Sequence, residues 1–110
     1  MTEQDGGALL KEAFEQAGLT IAEDYRLDED GLSVVLDGFD AGRRVGYEFI
    51  TTEAGDRAEF GPEVLARLEA RIGRGELFLL LLDEREVDEA GLRFAADRFL
   101  ARLREDGVLR

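Results

Sequence analysis

The chain has no cysteine and no histidine. Without thiols it has no disulfide, no thiolate nucleophile and no Cys-based metal site. Without imidazole, Ser-His and Cys-His nucleophilic machinery, histidine acid–base catalysis near neutral pH and the common His-containing zinc sites are excluded. No apolar run approaches the ~18 residues of a membrane span. The opening stretch MTEQDGGALL lacks the basic-then-apolar pattern of a secretory leader, so a cytoplasmic location is expected. Proline occurs once, as Pro62, and lysine once, as Lys11, every other base being arginine. We read that preference as coding bias towards GC-rich codons rather than as chemistry.

What is abundant is negative charge. Twenty-six acids face fourteen bases, a net charge of −12 over 110 residues. Such a field repels nucleic acid and anionic membrane, whose binding depends on Lys and Arg displacing counterions. Solubility or a salt-adapted, acidic proteome accounts for it. So does an acidic surface made for a basic protein partner. At 45% apolar, residues 1–110 are expected to form a single globular domain with one core.

The elements read in order. Residues 8–17 place Leu10, Ala13, Phe14 and Ala17 on one helical stripe, with Gly18 where a left-handed cap is wanted. From Leu19 to Leu27 the pattern changes to period two, with Leu19, Ile21, Tyr25 and Leu27 expected on one face. A turn at 28–31 leads to a strand over 32–39, and a turn at 40–43 to a strand over 44–51. After a polar loop over 52–60, Pro62 opens a helix that Gly73-Arg74-Gly75 ends. Leu77–Leu82 is apolar on both faces and too short for a good helix, which predicts an interior strand parallel to the third. Asp88 caps a last helix whose stripe runs from Leu92 to Leu103. The expected fold is α/β, a three-layer α/β/α sandwich of order α-β-β-β-α-β-α. Its mixed four-stranded sheet is an antiparallel meander plus one parallel crossover strand.

Within this plan Asp37 and Glu48 each interrupt an otherwise apolar strand-like run. An acid in a half-buried strand requires a partner, a metal or a proton. Counting outward from the 40–43 turn puts Phe39 near Arg44 and Asp37 near Gly46. Glu48 is then diagonal to Asp37, at roughly 7–8 Å between backbones. Two readings stay open. The pair chelates Mg²⁺ through oxygens and waters, or Asp37 starts an Asp-Gly bend while Glu48 pairs with an arginine such as Arg26 or Arg43.

The order of elements, with Asp37 on the second strand and Glu48-Phe49-Ile50 on the third, resembles the core of the PD-(D/E)xK nuclease-like superfamily over most of the chain. The resemblance implies a divalent metal held by Asp37 and Glu48, assisted by Glu12 or Glu15 from the first helix. Ile50 stands at the family's lysine position, and Lys11 is the remaining candidate for that cation. Acidic secretion-chaperone-like folds share the opening order but add a fifth strand, for which residues 84–88 are too polar and short.

Other features are weaker. The run at 28–31 is a fragment of a calcium loop without its later ligands and reads as a hairpin turn. Phe94 lies off the stripe of the last helix and is a candidate interface anchor. The expectation for function is a non-catalytic, acidic protein-binding module on a nuclease-like scaffold, with a basic protein partner and no cofactor. The alternatives are a Mg-dependent nuclease or phosphodiesterase using Asp37 and Glu48, and a secretion-chaperone-like binding protein.

Overall fold

A computed structural model of the chain describes residues 2–52 and 56–109, apart from the side chains of Glu3, Asp56 and Arg57. In chain order the elements are α1 (Glu3–Gln16), β1 (Ala22–Glu29), β2 (Leu32–Asp40), β3 (Val45–Ile50), α2 (Asp56–Glu59), α3 (Pro62–Gly73), β4 (Phe78–Asp83) and α4 (Glu89–Glu105). Apart from the single turn of α2, this is the α-β-β-β-α-β-α order expected. α2 lies in the stretch read as loop, whose residues 53–55 are outside the described residues.

The three long helices end in the same way. After α1, the N–H groups of Gly18 and Leu19 return to the carbonyls of Glu15 and Phe14. After α3, Gly75 and Glu76 return to Ile72 and Arg71, and after α4, Gly107 and Val108 return to Arg104 and Leu103. Each is a Schellman motif whose turning residue must have positive φ, here 97°, 72° and 78° for Gly18, Gly75 and Gly107. α1 begins earlier than its apolar stripe suggests. Thr2 accepts the Asp5 N–H and Asp5 accepts the Thr2 N–H, a capping box that starts the helix ahead of the unfavourable Gly6-Gly7 pair.

The sheet order is β1-β2-β3-β4, the first three antiparallel and β4 parallel to β3 across the α3 crossover. On one face α1 and α4 close a core around Leu10, Phe14, Tyr47, Phe49, Leu92 and Leu100. On the other, α3 covers Leu27, Val34, Leu36, Phe39, Leu68 and Leu79. The three-layer sandwich is therefore as expected, but β4 is not interior. It lies at the edge and pairs with β3 alone among the described residues. Phe78, Leu80 and Leu82 pack towards α1 and α4 while Leu79 and Leu81 pack towards α3, so its apolar run reflects two covered faces rather than two paired edges. No fifth strand occurs among the described residues.

Two details of the meander position the site. The segment 19–27 is strand only from Ala22 and does not keep one apolar face: Leu19 and Ile21, ahead of β1, join the α1/α4 core, whereas Tyr25 and Leu27 join the α3 core. The reversal is at Asp24, whose left-handed φ of 50° breaks the alternation. β2 changes face beside it, since Leu32, Val34 and Leu36 share the α3 core with Phe39, one residue out of step. The second detail is register. Asp30 and Gly31, at φ 49° and 79°, form a primed turn that pairs Glu29 with Leu32. The next turn is longer than expected, because Arg44 (φ 60°) belongs to it and the ladder starts at Asp40↔Val45. Gly38 then faces Tyr47, two residues later in β3 than the expected count, and regular pairing stops there, before Asp37 and Glu48.

Candidate functional site

Just beyond the last ladder pair, Asp37 and Glu48 exchange hydrogen bonds with the partner strand. The Asp37 N–H donates to Glu48 Oε1 at 2.7 Å, and the Phe49 N–H donates to Asp37 Oδ2 at 2.8 Å. Carboxylates thus take acceptor positions that ladder carbonyls would otherwise fill, and the regular backbone pairing of β2 with β3 ends at Gly38↔Tyr47. Glu48 is 1% exposed, and alternation with Tyr47 and Phe49 sets it on the α3 face. Asp37 opens instead to the α1 face, where it lines a hollow beneath the helix. Neither arginine expected to pair with Glu48 does so through its side chain: Arg26 donates to Ser33 Oγ, and Arg43 gives its backbone N–H to Asp40.

The remaining predicted residues are dispersed. Lys11 forms an ion pair with Glu23 at 3.3 Å, Glu12 accepts the Gln16 amide, and Glu15 lies on the outer side of α1. Ile50 is buried in the α3 core. Phe94 is 65% exposed on α4 with the Arg98 guanidinium 5.9 Å from its ring. One oxygen of each carboxylate, Glu48 Oε1 and Asp37 Oδ2, is thus occupied by a backbone N–H. Among the described residues no group of three or more acids gathers as it would around a metal.

The hollow under α1, of about 460 Å³, has a different composition. α1 covers it with Gln4, Gly7 and Ala8, its walls are Glu23, Asp24 and Asp37, and Tyr47 reaches it from β3. Tyr47 crosses the sheet because Gly38, opposite, has no side chain; a Cβ there would collide with the phenol ring. Phe14 holds the ring edge-on at 4.9 Å. Burial, and then the nearby carboxylates of Asp37 and Glu23, push the Tyr47 phenol well above its usual range, so it stays neutral. Sequence reading missed Asp24 and Tyr47. The available signal was a glycine at 38 within a strand, which marks a close approach.

A second polar centre is structural. Arg44 binds Glu29 through two nitrogens at 2.9 and 2.7 Å, and Arg71, 5% exposed, donates to the same carboxylate at 2.9 Å and to the Glu29 carbonyl at 3.0 Å. Arg44 also donates to the Glu76 carbonyl. This knot fastens the end of β1 and the start of β3 to α3. Asp30 of the calcium-like run serves it as a further acceptor for Arg71.

No family model, characterised protein or solved structure matches the chain.

Proposed function

We propose that this protein is a non-catalytic, acidic binding module for a basic protein partner, working in the cytoplasm on a scaffold with the element order of the PD-(D/E)xK nucleases. The observation that carries the reading is the cross-strand exchange between Asp37 and Glu48. Two carboxylates that would hold metal in a nuclease here complete backbone hydrogen bonds and diverge to opposite faces. The position where the nuclease pattern has lysine is the buried Ile50, so the reacting phosphate would lack its cationic stabiliser. A net charge of −12 adds repulsion of nucleic acid and attraction of Lys/Arg-rich surfaces. No helix among the described residues is long and apolar enough to cross a membrane.

The test has two arms. Incubation with Mg²⁺ or Mn²⁺ leaves single- and double-stranded DNA and RNA intact, and neither metal raises the melting temperature. Immobilised protein retains a partner at low salt, and the purified partner binds with an affinity that falls as salt is added. Phe94→Ala weakens that complex while leaving the fold intact. Mn²⁺-dependent nicking that disappears in Asp37→Asn would reverse the assignment in favour of a nuclease.

A further inference from the structure

Tyr47 presents an anomaly. It is 1% exposed, yet its hydroxyl makes no hydrogen bond with any described residue. The fold therefore leaves the hydroxyl's hydrogen-bonding capacity open to an added partner. Among the described residues no sealed polar atom is left unsatisfied, so what little of Tyr47 is accessible is the hydroxyl end facing the hollow under α1. Asp24 stands in the wall of the same hollow, and its carboxylate makes no hydrogen bond or ion pair with a described residue. It is also held in the left-handed conformation that reverses β1, which turns its side chain to the α1 face beside Glu23.

Building on the acidic-module reading, we propose that this hollow receives the primary ammonium of a partner's lysine side chain, with Asp24 as its counter-ion and the Tyr47 hydroxyl as its second acceptor. A lysine head has three donors in tetrahedral directions and no acceptor. The hollow offers the Asp24 carboxylate from β1 and the Tyr47 hydroxyl from β3, separate acceptors that suit a compact tetrahedral head better than a planar guanidinium needing two parallel acceptors. A divalent metal fits less well. Its oxygens must converge at roughly 2.0–2.6 Å, and the described acids do not gather in that way. Ammonium bonds of roughly 2.7–2.9 Å tolerate the wider spacing. Gly7 and Ala8 of α1 leave room for the methylene stem. Lys11 pairs with Glu23 but does not line the hollow, so it is not its occupant.

The experiment titrates the full chain with an oligolysine peptide, its fully acetylated form and an oligoarginine peptide, read by NMR shifts and by dissociation constant at low salt. The oligolysine peptide is expected to shift the Asp24, Tyr47 and Gly7 resonances, and the acetylated peptide to leave them unchanged. Asp24→Asn keeps the left-handed backbone, which asparagine also adopts, and is expected to weaken binding about tenfold. Tyr47→Phe removes only a hydroxyl that the fold does not use. It is expected to weaken binding about threefold with no loss of melting temperature. Glu63→Gln on α3 removes an equal charge away from the hollow and is expected to change binding less than about twofold. Equal losses in Glu63→Gln and Asp24→Asn would overturn the pocket, showing attraction by the whole field, while leaving the acidic-module reading intact. Tight oligoarginine binding lost in Asp24→Asn would overturn the choice of ammonium. No binding by either basic peptide would overturn both the pocket and the module.

Discussion

Glu29 and Asp40 show how single residues in this acidic chain acquire defined roles. The hydrogen bonds from Arg44 are the largest influence on Glu29 and, with the charge of Arg71, outweigh burial and hold its carboxyl below the ordinary 4.5. For Asp40 burial acts upward, but N–H groups of Thr20, Arg43 and Gly42 prevail and hold it below 3.8. Because both folded-state values lie below the unfolded ones, each carboxylate adds stability that is complete above pH 4.5 and is withdrawn as pH falls through the folded values. Acid unfolding followed by circular dichroism is therefore expected to begin below that point. Arg71→Ala, which removes three hydrogen bonds to Glu29 and Asp30, is expected to cost about 2–3 kcal/mol at neutral pH and to move the acid midpoint upward. An unchanged midpoint would mean that Arg44 alone sustains the shift.

Among the elements, the end of α3 has two glycines two positions apart, Gly73 inside the helix and Gly75 beyond it, with opposite requirements. Gly73 closes the helix in ordinary helical conformation, and a methyl there would meet nothing. Gly75 makes the Schellman turn at φ 72°. Gly73→Ala is expected to stabilise the protein by about 0.5 kcal/mol, whereas Gly75→Ala is expected to destabilise it by about 1–2 kcal/mol. Urea unfolding of the two variants decides the matter, and equal effects would show that the cap does not limit stability. β4 carries a related lesson. A wholly apolar strand satisfies two covering layers of helices wherever it sits in the sheet, so its composition reports layers and not neighbours.

At the scale of the molecule the surplus of acid acts against the compact state. Twelve net negative charges held within one sandwich repel one another more when folded than when the chain expands. The melting temperature is therefore expected to rise with added sodium chloride, most steeply below about 0.1 M, where the screening length exceeds ~10 Å. A fall with salt would mean instead that attractive pairs such as the Glu29–Arg44–Arg71 knot dominate the electrostatics. The same field gives the hollow under α1 its setting, because an approaching cation meets a favourable potential before it meets Asp24 or Tyr47.

Sequence alone determined the order of the main elements, the three layers and the C-terminal ends of the long helices, since these follow from local periodicity and from glycines placed where only positive φ will do. It also determined that Asp37 and Glu48 needed explaining, because an acid inside an apolar strand is costly in any fold. Their placement followed from register: one turn residue, Arg44, moved the count by two, and each carboxylate accepts a backbone N–H of the other strand. The edge position of β4 was likewise beyond the sequence, since covering both faces leaves the same pattern as pairing both edges. The Asp24 reversal, the passage of Tyr47 over Gly38 and the gathering of Glu29, Arg44 and Arg71 all join residues distant in the chain. Periodicity reports which face a residue prefers, and only the closed tertiary structure decides what stands across from it.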